Sequence, residues 1–124
     1  MRVLLVDDEI EFVSTLAERL VFRGIDARWV TTYLEAIDLV KAESFDIAIL
    51  DVKMPKLGGL ALKEKLQAER PEMKFIFLTG YGSENDFNTV SSQLGEEYYL
   101  IKPVDIDALI EKIKSIVDAE GSQT

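Results

Sequence analysis

Four short apolar runs in this chain each end in a reactive polar group. Residues 2–6 lead to Asp7 and Asp8, residues 45–50 to Asp51, residues 73–78 to Thr79, and residues 98–101 to Lys102. Short apolar runs bounded by turn signals read as buried strands of a parallel sheet. The C-terminal ends of such strands lie along one edge, where open α/β sheets place their chemistry. One such residue at a strand end is unremarkable, but four at corresponding positions form a joint signal. Asp51 is the central candidate, a carboxylate nucleophile that accepts a phosphoryl group.

Each group has a physical role in that chemistry. A carboxylate attacking a phosphoryl group is an anion approaching an anion, and phosphoryl transfer depends mainly on positioning and electrostatic stabilisation. Three carboxylates (Asp7, Asp8 and Asp51) in a partly buried site repel one another unless a cation sits between them. A hard divalent ion with oxygen ligands fits, and magnesium is the natural candidate. Lys102 supplies a point charge to a phosphate oxygen, and Thr79 offers a hydroxyl donor to another. Singly, each residue has a plainer reading. Asp7 and Asp8 could cap a helix, Asp51 could cap a loop, and Thr or Lys at a strand end is common.

Composition narrows the chemistry further. The chain has 124 residues, 48% of them hydrophobic, which suits one domain with one core. There is no cysteine, so no disulfide framework or thiolate metal site, and no histidine, so no Ser-His-Asp triad, histidine zinc site or phosphohistidine. The net charge of −9 argues against direct nucleic-acid binding. No apolar run is long enough to span a bilayer. The strand-like start lacks the features of a signal peptide. A cytoplasmic location away from membranes is the expectation.

The elements that must position these groups follow from periodicity. Strands are expected over residues 2–6, 25–30, 45–50, 73–78 and 98–101. Ile10, Val13, Leu16, Ala17 and Leu20 fall at helical spacing after the first strand, and Gly24 closes that helix. Thr31 or Thr32 can cap a second helix with an apolar face of Leu34, Ile37, Leu39 and Val40. A third begins around Leu60, Leu62 and Leu66 and ends before Pro71. A fourth covers residues 84–94 and a last one residues 105–118. Five strands alternating with five helices imply an α/β fold, a parallel sheet covered on both faces by right-handed crossovers. Residues 120–124 read as a flexible tail or the start of a linker.

Asp7-Asp8, Asp51 with Met54-Pro55 and Gly58-Gly59, Leu78-Thr79-Gly80, and Tyr99 to Pro103 together resemble the receiver domain of two-component response regulators. The resemblance runs over nearly the whole chain, giving a CheY-like receiver over residues 1–119. It implies a flavodoxin-like, doubly wound sheet of order 2-1-3-4-5. It implies that Asp51 takes a phosphoryl group from a phosphohistidine on a sensor histidine kinase or histidine phosphotransfer protein. By the same resemblance, Asp7, Asp8, Asp51 and the Lys53 carbonyl hold magnesium, and Thr79 and Lys102 bind phosphoryl oxygens. Thr79 and Tyr99 form a switch pair, and the Lys102–Pro103 peptide is cis. The surface around the fourth helix, fifth strand and fifth helix then controls a downstream effector, and phosphorylation-dependent homodimerisation is allowed. Lys53 and Tyr81 flank the path of the hydrolytic water. The chain departs from the family at Glu96, Tyr98 and Gly80, where Ala or Asp is common.

Other functions fit less well. A flavodoxin-like electron carrier needs a hydroxyl- and Gly-rich phosphate loop after the first strand, where Asp7-Asp8-Glu9 would repel it. An Asp-nucleophile phosphatase needs a second Asp where Lys53 stands. A binding-only receiver would not need the full set of phosphorylation residues. Residues 84–94 include Asn85, Asp86, Asn88, Thr89, Ser91 and Ser92, all mediocre or poor helix formers. At a few tenths of a kcal/mol each, they weaken that helix by roughly a few kcal/mol relative to Ala. Its amides should exchange with solvent faster than those of the last helix in a hydrogen-exchange measurement. Equal protection would contradict that ranking.

Overall fold

The computed structural model describes residues 1–53, 56–80 and 99–121. Strands β1 (Arg2–Val6), β2 (Asp26–Val30), β3 (Ile47–Asp51), β4 (Lys74–Thr79) and β5 (Tyr99–Ile101) alternate with helices α1 (Ile10–Phe22), α2 (Tyr33–Ala42) and α3 (Gly59–Glu69). Helix α4 (Ile106–Gly121) follows β5. The described residues thus hold four helices. The helix expected over residues 84–94 lies outside them, as do Met54, Pro55, Tyr81, Glu96, Tyr98 and residues 122–124. The last helix runs three residues past Asp118, into the segment expected to be tail.

All four strand pairs are parallel, in the order β2-β1-β3-β4-β5. The chain moves one way from β1 to β2 and the other way from β3 onward. Right-handed connections therefore send α1 to one face and α2 and α3 to the other. Strand alternation divides the core accordingly. Val3, Leu5, Ile47, Ile49, Ile76 and Leu78 pack with Val13, Leu16, Ala17 and Leu20 of α1 and with Leu109 and Ile113 of α4. Leu4, Val6, Ala48, Leu50, Phe75, Phe77 and Tyr99 pack with Ala36 and Val40 of α2 and with Leu62 and Leu66 of α3. Strands buried on both faces explain the continuous apolar runs.

The helix ends follow local chemistry. Gly24 takes φ +86°, its N–H donates to the Val21 carbonyl (2.9 Å), and the Ile25 N–H donates to the Leu20 carbonyl (3.0 Å). This is the pairing that ends a helix on a left-handed glycine. Thr32 caps α2 by accepting the Glu35 N–H at 3.2 Å. The α2 face differs from expectation at one position. Tyr33, Ala36, Ile37 and Val40 fall at i, i+3, i+4 and i+7, whereas Leu34 lies about 200° around the helix from Ala36 and is 60% exposed. Ile10, in the first turn of α1, is likewise exposed.

Both ends of the connection from β3 to α3 are tied down by backbone contacts. The Val52 N–H donates to the Leu78 carbonyl and the Gly59 N–H to the Val52 carbonyl, both at 2.9 Å. A Cβ on Gly59 would lie 2.7 Å from the Asp51 carbonyl oxygen and 3.0 Å from Val52 Cα. Both neighbours are backbone, so neither can move aside cheaply. A Cβ on Gly80 meets nothing within 4 Å. Gly59→Ala should therefore cost about 1–3 kcal/mol in denaturant unfolding, with Gly80→Ala close to neutral. Equal effects would contradict this reading of the loop.

Candidate functional site

Asp7, Asp51 and Lys102 come together through strand parity. Alternation puts Asp7 on the side of Leu5, Asp51 on the side of Ile49 and Lys102 on the side of Leu100, all facing the α1 and α4 layer. Asp51 is the last residue of β3 and Thr79 the last of β4, while Asp7 and Lys102 each follow their strand by one residue. Asp7 and Asp51 are 2% and 5% exposed. The carboxylates of Asp7, Asp8 and Asp51 each offer an oxygen within 4.8 Å of the others, with Asp8 the exposed member.

Lys102 is the cation facing this group. Its Nζ lies 2.7 Å from Asp7 Oδ2, 2.8 Å from Glu9 Oε1 and 3.8 Å from Asp51 Oδ2. It also sits 4.7 Å from the centre of the Phe12 ring, within the range of a cation–π contact. Burial works against its charge, but hydrogen bonds to Asp7 and Glu9 outweigh this and hold its pKa above the usual lysine value. Burial pushes the Asp7 carboxyl up, against the pull of Lys102 and the Glu9 N–H. Burial together with the nearby Asp7 charge raises Asp51 from 3.8 to about 6, with Lys102 and the Lys53 N–H opposing. One lysine does not offset the crowding of these carboxylates.

The backbone fixes the carboxylates from the other side. Asp7 Oδ1 accepts the Glu9 N–H at 2.9 Å, and Asp51 Oδ1 accepts the Lys53 N–H at 3.2 Å. Asp7 and Asp8 are not helix caps. Glu9 holds the N-cap position of α1 and makes no side-chain cap bond. Lys53, the residue expected to offer its carbonyl, follows Asp51 by two residues in the loop.

Thr79 and Tyr99 lie on the opposite parity, together with Phe77. Thr79 is 2% exposed, and its Oγ1 has no hydrogen-bond partner among the described residues. A buried hydroxyl in that condition is costly. The Lys102 N–H donates to the Thr79 carbonyl at 2.7 Å, which ties the two strand ends together. Tyr99 is buried. The Lys102–Pro103 peptide is cis.

Sequence reasoning missed the side chains of Glu9 and Phe12. The usable signal was the unbroken Asp7-Asp8-Glu9 run, with Phe12 one helical turn beyond Glu9. Their contact with Lys102 spans most of the chain and has no local trace.

The family model for the response regulator receiver domain matches residues 3–114. The chain belongs to that family. It is 31% identical over 121 residues to the transcriptional regulatory protein GlrR of Escherichia coli (strain K12), covering 98% of this chain and 27% of GlrR. The first curated relatives it matches are longer, and it spans about a quarter to a half of their length. A CheY-like receiver domain protein from Methanospirillum hungatei JF-1 superposes with a TM-score of 0.86 at 33% identity, covering 99% of this chain and 98% of that one. A Burkholderia pseudomallei response regulator, solved with a phosphorylated aspartic acid, a calcium ion and citrate, gives 0.80 at 27% identity over 98% of this chain and 71% of that one. The chain is a two-component signalling domain of CheY-like fold. Among the described residues, no helix is long and apolar enough to cross a membrane.

The raised Asp51 pKa sets a pH signature for the metal-free domain. Between about 4 and 6 the folded chain holds more protons than the unfolded one, so Asp51 lowers stability as pH rises through that window. Asp51→Asn removes the buried charge. In chelator, the variant should unfold later than wild type at pH 7, by about 1–3 kcal/mol, and the gap should close at pH 4. A gap that is the same at both pH values, or of opposite sign, would contradict the crowding.

Proposed function

We propose that Asp51 accepts a phosphoryl group from a phosphohistidine on a sensor histidine kinase or histidine phosphotransfer protein, in a magnesium-dependent reaction. The observation that carries this reading is the juxtaposition of three carboxylates within 4.8 Å and a partly buried lysine 3.8 Å from Asp51 Oδ2. The chain holds no histidine, so the donor histidine lies outside it. The donor set is all oxygen and rich in negative charge, which fits a hard divalent ion. Asp7, Asp8, Asp51 and the Lys53 carbonyl would hold magnesium, which would neutralise charge on the transferring oxygens.

Within the chain, the roles follow from position. Asp51 Oδ1 is engaged by the Lys53 N–H, while Oδ2 faces Lys102. Oδ2 is the attacking oxygen. The new O–P bond forms as the P–N bond of the donor breaks, and the imidazole leaves with the electron pair and takes up a proton. Lys102 shifts its contact toward a phosphoryl oxygen, and the buried Thr79 hydroxyl donates to another. Tyr99, on the same sheet face as Thr79, is the second half of the switch. The responding surface comprises β5, α4 and residues 84–94, the last outside the described residues. It acts on an effector domain or protein, or through a second copy of the chain. The acidic domain itself does not bind nucleic acid, and it works in the cytoplasm, away from the membrane.

The test is incubation with a small phosphodonor and magnesium, followed by mass spectrometry of the intact protein. Wild type should gain one phosphoryl group, and Asp51→Asn or excess chelator should prevent it. No gain by wild type, or equal gain by the variant, would refute the phosphoacceptor assignment.

A further inference from the structure

Lys102 has more partners than its role at the phosphoryl site requires. Besides Asp7 and Asp51, which line the site, it meets Glu9 Oε1 at 2.8 Å and the face of Phe12 at 4.7 Å. Both extra partners come from the start of α1. Glu9 is held there by its own backbone, whose N–H donates to Asp7 Oδ1 at 2.9 Å. The same buried carboxylate thus fixes Glu9 and pairs with Lys102. The two ends of the ion pair differ sharply in exposure. The Lys102 side chain is 12% exposed and the Glu9 side chain 62%. The Asp7 partner is buried and fixed, whereas Glu9 can return to water at little cost.

We infer that Glu9 is a positioning residue, a removable counter-ion that holds Lys102 away from Asp51 until a phosphoryl oxygen replaces it. The inference rests on the phosphoacceptor reading of the site. In the present arrangement Lys102 is 1 Å farther from Asp51 than from Glu9. To reach a phosphoryl group on Asp51, it must give up or stretch the Glu9 contact. An ion pair with one exposed partner is weak, so the phosphoryl dianion wins the exchange, but Glu9 subtracts from its binding. Phe12 lies against the lysine, 4.7 Å from ring centre to Nζ.

Beryllofluoride, a phosphoryl mimic, reports the exchange directly. Its affinity in saturating magnesium would be measured by fluorine NMR for wild type, Glu9→Gln, Lys102→Ala and the double variant. Glu9→Gln should bind about two- to fivefold more tightly than wild type, the range of one partly exposed ion pair. The gain should disappear in the Lys102→Ala background, and Glu9→Asp should bind like wild type or between the two. A gain of the same size without Lys102 would mean that Glu9 acts only as a nearby negative charge, and it would overturn the inference. So would unchanged affinity in Glu9→Gln. Failure of wild type to bind beryllofluoride at all would instead refute the phosphoacceptor reading, and this inference with it.

Discussion

Two buried carboxylates at the ends of adjacent parallel strands are the constraint on which this site depends. Asp7 and Asp51 are held there by β1 and β3, whose side chains are buried on both faces. Burial pushes both toward protonation, the Asp7 charge adds to this at Asp51, and Lys102 only partly relieves it. Such an arrangement is costly as a structural feature alone, since a packed apolar pair would be more stable. On the proposed function, a divalent ion and a phosphoryl group entering together would offset that cost. On that reading, the crowding would be the source of the domain's affinity for them.

The rest of the fold serves that convergence. Parallel pairing aligns all C-terminal strand ends, and the order β2-β1-β3-β4-β5 puts β3 between the acidic pair of β1 and the hydroxyl of β4. Alternation then sorts the groups by face. The charged residues Asp7, Asp51 and Lys102 share the α1 side, and Thr79 and Tyr99 share the other. On the proposed function, this division would separate chemistry from readout: a phosphoryl group on Asp51 would sit among charges on one face, while the Thr79 hydroxyl shares the other face with the Tyr99 ring. The absence of a Cβ at Gly59 lets the start of α3 approach the Asp51 carbonyl closely.

Much of this was legible in the chain because strand ends announce themselves. An apolar run that stops at Asp51 or Lys102 marks both an element and a site, and no strand boundary moved by more than two residues. Helix faces were less legible where small residues carry the packing. Ala36 is fully buried and Leu34 exposed, the reverse of what side-chain size indicates, because the angle around the helix decides the matter. The Glu9 and Phe12 contacts with Lys102 were not legible. They depend on how α1 is placed against β5, a tertiary distance that no local pattern encodes.

The central claim is that Asp51, and no other carboxylate of the cluster, forms the covalent acyl phosphate. Acyl phosphates are reduced by borohydride, which converts the modified aspartate to homoserine. Phosphodonor treatment, borohydride reduction and peptide sequencing would read the position directly. The account predicts homoserine at position 51 alone. Homoserine at position 7 or 8, or none in a protein that has taken up phosphate, would contradict it.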